Sequence, residues 1–125
     1  MVTPKRKLGD LGEKIAVDYL KKQGYQILER NFKKPWGEID IIAQNNQALI
    51  FIEVKTRILL QKESPYPEES VGSLKQQKLI RTAQSYLSER KHPPETNWQI
   101  DVIAIELNEQ TRKANLKHIK NAVWQ

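Results

Sequence analysis

The sequence predicts an α/β fold in which helices cover a mixed β-sheet. Three observations predict it. Two segments carry apolar residues at three- and four-residue spacing, as an amphipathic helix does. Several others are short, apolar and rich in β-branched residues, as strands are. One of the helical segments lies between two of the strands, and such a crossover normally joins parallel neighbours.

The elements read in the order helix, strand, strand, strand, helix, strand, with a weaker strand after them. Leu8, Leu11, Ile15, Ala16, Tyr19 and Leu20 form the stripe of a helix from Leu8 to Gln23, stopped by Gly24. Tyr25 to Asn31 reads as a short strand, and Lys33 to Gly37 as a loop punctuated by Pro35 and Gly37. Glu38 to Ala43 and Ala48 to Thr56 form a hairpin about Gln44-Asn45-Asn46-Gln47. Arg57 to Gly72 has no periodicity and carries Pro65 and Pro67. It is expected to be a mobile loop beside the strand it leaves, with Leu59 and Leu60 as a docking feature. Ser73 with Gln76 forms a capping-box signature before a helix bearing Leu79, Ile80, Ala83, Tyr86 and Leu87. His92-Pro93-Pro94 is expected to end that helix. Trp98 to Leu107 is a strand, and Asn115 to Trp124 the weaker candidate.

Composition narrows the function. The 125 residues fit one domain spanning 1–125. There is no cysteine, which excludes disulfides, thiolate metal sites and a cysteine nucleophile. Two histidines, His92 and His118, are too few for the usual zinc sites. Twenty-one Lys and Arg against 15 Asp and Glu give a net charge of +6, which favours nucleic acid as partner. The apolar runs are strand-sized, and no apolar signal region follows the basic start, so a soluble cytoplasmic protein is expected, with no membrane partner.

The hairpin carries charge among its apolar residues. Alternation puts Glu53 and Lys55 on one face of their strand and Glu38 and Asp40 on one face of theirs. Closing the turn at Asn45-Asn46 pairs Asp40 with Phe51 and makes Glu53 its diagonal neighbour. Asp40, Glu53, Lys55 and Glu38 then converge. Hard oxygen ligands of this kind suit Mg²⁺ or Mn²⁺, which neutralise charge at a phosphoryl centre. Lys55 is placed to orient water or hold a phosphate oxygen. The same spacing also fits a solvated face with a weak Lys–Glu pair. Glu13, at the edge of the first helical stripe, reaches toward the sheet rim or is an ordinary surface residue. Lys75 and Gln76 open the second helix, where phosphate is attracted. Lys5 to Lys7, Arg30, Lys33, Lys34, Lys78, Arg81, Arg90 and Lys91 are phosphate-contact candidates. Trp36 and Tyr66 either stack on bases or cover apolar surface, while Tyr86 and Trp98 belong to the core. Asp101 reads as a buried anchor and His118 as a structural polar residue.

Several segments together resemble a known family. They are Gly9-x-x-Gly12-Glu13-x-x-Ala16-x-x-Tyr19-Leu20, Gly37-Glu38-Ile39-Asp40-Ile41-Ile42-Ala43 and Phe51-Ile52-Glu53-Val54-Lys55-Thr56-Arg57. Gly24, Asn31, Val71 with Lys75, and Asp101-Val102 continue the pattern. It resembles the YraN-like bacterial family within the PD-(D/E)XK nuclease superfamily, which is similar to archaeal Holliday junction resolvases. The resemblance implies a restriction-endonuclease-like fold, metal ligation by Asp40 and Glu53, catalytic Lys55, an assisting Glu13, and a role near the site for Lys75. Gln99 departs from the pattern, which has arginine there. The reading is a Mg²⁺- or Mn²⁺-dependent DNA endonuclease, acting on branched or structured DNA, with Lys33, Lys34, Arg57, Lys75 and Gln76 on the substrate. Cleavage of two strands favours a homodimer. The alternative is a nucleic-acid-binding or repair-complex module that keeps the fold without cleavage.

Overall fold

In the computed structural model, which describes residues 4–59 and 72–123, the order is α1 (Pro4–Lys22), β1 (Gln26–Lys34), β2 (Gly37–Asn45), β3 (Ala48–Leu59), α2 (Ser73–Glu89), β4 (Asn97–Asn108) and β5 (Lys113–Ile119). The expected α/β class holds. The strands form one sheet in chain order, β1-β2-β3-β4-β5. β3 and β4, on either side of the α2 crossover, are parallel, and every other pair is antiparallel.

Each face of the sheet has its own core. Ala16, Val17 and Leu20 of α1 pack on Ile41, Ala43, Ile50, Ile52, Ile103 and Ile105. Leu79, Ala83 and Tyr86 of α2 pack on Phe32, Ile42, Phe51, Ile100 and Val102 across the sheet. The strands that serve both cores read as unbroken apolar runs, as doubly covered strands do. Trp98 packs against the α2-side core and Tyr86 lies within it, as expected.

Both helices stop on a left-handed residue. Gly24 has φ +91°, and the N–H groups of Gly24 and Tyr25 donate to the carbonyls of Lys21 and Leu20. Lys91 repeats the device at φ +56°, with Lys91 and His92 bonding back to Ser88 and Leu87. The second helix therefore ends at Glu89, ahead of the prolines expected to end it. Its start differs too. Gly72 is the N-cap and no side chain caps the helix, so Ser73 and Gln76 form no capping box.

Other boundaries move. β1 continues through Lys34, so Lys33 and Lys34 lie in a strand, and the turn is only Pro35-Trp36. β3 continues to Leu59, because β4 pairs with it that far. Residues 60–71 of the expected loop, Leu60, Tyr66 and Val71 among them, lie outside the described residues, as does Trp124. The last strand is Lys113–Ile119.

Candidate active site

The site begins with hairpin register. The turn falls at Asn46-Gln47, with Asn46 at φ +57°, and pairs Asn45 with Ala48 and Ile41 with Ile52. This is two residues from the expected register. A two-residue shift leaves every side chain on its expected face, since the period of a strand is two. It also improves the juxtaposition, because the next pair in this register is Asp40 with Glu53.

The β2–β3 ladder stops at Ile41 and Ile52, one pair short of Asp40 and Glu53. Ile39 packs in the α2-side core and Ile41 in the α1-side core, although they are two residues apart. Alternation is therefore broken between them, at Asp40. β1 breaks at the same level. Phe32 faces α2 whereas Arg30 reaches Glu13 on α1, and Asn31 between them has φ +55°. The flanking pairs Arg30–Ile41 and Phe32–Ile39 put Asn31 across from Asp40. Past this level β1 and β2 stay paired with each other, while β3 continues beside β4.

Asp40 occupies the opening. Its Oδ2 accepts the Val54 N–H at 2.7 Å, a donor near the point where the ladder stops. Burial, then the charge and hydrogen bonding of Glu53, push its carboxyl up to about 8, against the lowering effect of the Val54 N–H. The Glu13 charge is the smallest contributor to this rise. Glu53 is buried on β3. The Lys75 ammonium, from the first turn of α2, lies 3.0 Å from Glu53 Oε2. The angles miss those of a hydrogen bond, so this buried oxygen keeps an unused lone pair. Lys55 follows two residues on, and the unbroken β3–β4 register keeps it on the Glu53 face.

Glu13 is delivered by a close approach. A Cβ at Gly12 would meet Thr56 Oγ1 at 1.9 Å, so only glycine lets α1 lie this near β3. Glu13 is half-buried and accepts a hydrogen bond from Arg30 at 3.5 Å. Burial raises its pKa, partly offset by Arg30. Glu38 does not converge as expected. It is exposed and pairs with Lys33 at 3.9 Å, because the break at Asp40 takes it out of the strand's alternation. Among the described residues no three acidic or histidine side chains close into a cation cage.

The cations expected on substrate have partners within the chain. Lys34 pairs with Glu89, Arg57 with Glu106 at 2.6 Å, and Arg90 with Glu29 at 2.7 Å. Gln76 donates its backbone N–H to Gly72. The Arg81 guanidinium covers the Trp36 ring at 3.9 Å, so that face is not open for stacking. Behind the sheet Asp101 is a fully buried anchor, as expected. It accepts the Asn121 N–H, the Gln99 amide at 2.8 Å and a hydrogen bond with His118 Nε2 at 2.7 Å. His118 Nδ1 in turn meets the Tyr19 hydroxyl at 2.8 Å. Sequence reasoning placed the anchor but missed its link to α1; the signal was a histidine in the strand following Asp101.

The model of the uncharacterised protein family UPF0102 matches residues 12–105, the stretch that runs from Gly12 through the hairpin and α2 into β4. The chain belongs to this family. Among UPF0102 relatives, one from Caldicellulosiruptor saccharolyticus is 41% identical over 118 residues, 94% of this chain and 98% of its own length. One from Clostridium botulinum is 44% identical over 115 residues, 92% of each chain. A third, from Chloroflexus aurantiacus, is 42% identical over 105 residues, 84% of this chain and 83% of its own. UPF0102 is the YraN family, so the resemblance read from the motifs holds. In this UPF0102 chain no described helix is long and apolar enough to cross a membrane.

Proposed function

We propose that the protein is a Mg²⁺- or Mn²⁺-dependent DNA endonuclease that hydrolyses phosphodiester bonds. The observation that carries this reading is the pair Asp40 and Glu53, set side by side where the β2–β3 ladder opens, with Lys55 next along the face. Burying adjacent carboxylates is costly, and they face a polyanion badly unless a cation lies between. The donor set fits a hard divalent cation: two carboxylates, a buried Glu53 oxygen with a lone pair to spare, and an Asp40 that a nearby positive charge would ionise. Such a cation supplies Lewis acidity, which activates water and neutralises charge on the phosphate.

The chain's own groups do the rest. Asp40 is held by the Val54 N–H, so its second oxygen is aimed rather than free to rotate. Lys55 holds a phosphate oxygen and orients the attacking water toward phosphorus. Glu13 tunes the field at Asp40. The +6 charge gathers DNA through its phosphates. Similarity of the motif to junction resolvases points to branched or structured DNA, and cutting two strands favours a homodimer.

The test is cleavage of linear, flapped and four-way-junction DNAs with Mg²⁺ or Mn²⁺. Wild type should cut at least one of them, and Asp40→Asn and Lys55→Ala should cut none. Binding without cleavage by wild type supports the binding module instead.

A further inference from the structure

We infer that Lys75 is a latch that competes with the cation for Glu53 and so couples cation binding to DNA binding. The inference rests on the cation reading of the site and adds a regulatory residue to it. Glu53 Oε2 is buried, and a positive group stands within 3.0 Å of it. That group is the Lys75 ammonium, on a side chain that is 54% exposed. An ammonium and a divalent cation cannot both sit against the same oxygen without strong repulsion. A cation arriving at Glu53 therefore displaces Lys75.

The displaced side chain has somewhere to go. It lies on the first turn of α2, in a groove of about 670 Å³ with Trp36, Leu74 and Lys78. Lys75 and Lys78 are both on this rim, and the helix lacks an acidic residue in its first turn. Released from Glu53, the ammonium adds its charge to a surface that takes phosphate. The coupling runs both ways. DNA that draws Lys75 away frees Glu53 for the cation, and the cation that frees Lys75 strengthens DNA binding. A latch of this kind weakens cation binding until a polyanion is present.

The experiment is calorimetric titration of the full chain with Mn²⁺ alone, for wild type, Lys75→Met and Lys78→Met. Lys75→Met should bind Mn²⁺ about tenfold tighter than wild type, because the competitor is gone. Lys78→Met removes the same charge one turn on and should stay within about twofold. Equal or weaker Mn²⁺ binding in Lys75→Met overturns the latch. Equal gains in both variants also overturn it, since net charge would then explain them. Absence of Mn²⁺ binding in all three proteins defeats the cation reading, and the latch with it. A second arm measures affinity for a DNA duplex with and without Ca²⁺. Wild type should gain affinity on adding Ca²⁺, and Lys75→Met should lose most of that gain; an undiminished gain counts against the coupling. Lys75→Gln serves in both arms if Lys75→Met does not melt near wild type.

Discussion

Asp40 keeps its proton up to about pH 8 because it is partly buried beside Glu53. Its folded pKa is raised above the unfolded value of 3.8, so the proton favours the folded state. The stability this gives is complete below about pH 4 and is lost as pH rises toward 8. The cation-free protein should therefore melt lower at pH 8 than at pH 5, by several degrees for roughly 1–3 kcal/mol. Asp40→Asn has no such proton and should show a shallower slope across that window in differential scanning calorimetry. Mn²⁺ at pH 8 should recover part of the loss in wild type only. That variant and Lys55→Ala separate chemistry from affinity. Asp40→Asn should abolish cleavage and, without cation, bind DNA as wild type does at about pH 6 but better than wild type at about pH 9, where the wild-type carboxylate is charged and faces phosphates. Lys55→Ala should abolish cleavage and weaken binding modestly, read by fluorescence anisotropy. Parallel shifts in affinity would contradict this assignment of charge.

Helix placement depends on two glycines at close approaches. A Cβ at Gly37 would meet Thr82 Oγ1 at 2.7 Å, so α2 lies directly against the start of β2. Gly37→Ala should cost about 1–3 kcal/mol in urea unfolding. Thr82→Ala in the same chain should recover much of that, because the next obstacle, the Lys78 carbonyl, is 3.4 Å away. A purely additive double variant would show that the contact is not what Gly37 avoids. Elements of this kind were legible to different degrees. Apolar spacing placed both helices and all the strands, because doubly covered strands and amphipathic helices have distinct periods. The Asp40–Glu53 face was legible as well, since a two-residue slip in register cannot change it. The break at Asn31 and Asp40 was not. It arises from a left-handed residue in one strand and a side chain replacing main chain in the next, and neither alters the run of apolar residues. The Lys75–Glu53 pair was equally hidden, because it joins residues whose approach depends on how α2 returns across the sheet.

Across the whole molecule, the positive charge exceeds the negative by 6, although many cations are paired. Binding to DNA should weaken steeply between about 50 and 200 mM salt, with a log–log slope set by the phosphates contacted. A flat anisotropy response over that range would remove nucleic acid from the list of partners. The sheet that carries this charge has its strands side by side in chain order. During synthesis, each strand therefore finds its neighbour already made, and only the step from β3 to β4 waits for a helix. The β2–β3 hairpin needs a two-residue turn and can zip within microseconds of leaving the ribosome. It would do so before α2 exists, with Asp40 and Glu53 brought together and Lys75 still unmade. Both carboxylates are charged in the open chain and cannot both stay so side by side, so zipping is easy from the turn up to Ile41 and resisted beyond it. The end of the hairpin that holds the site is then the last part of it to set, and it sets when a proton or a counter-charge arrives.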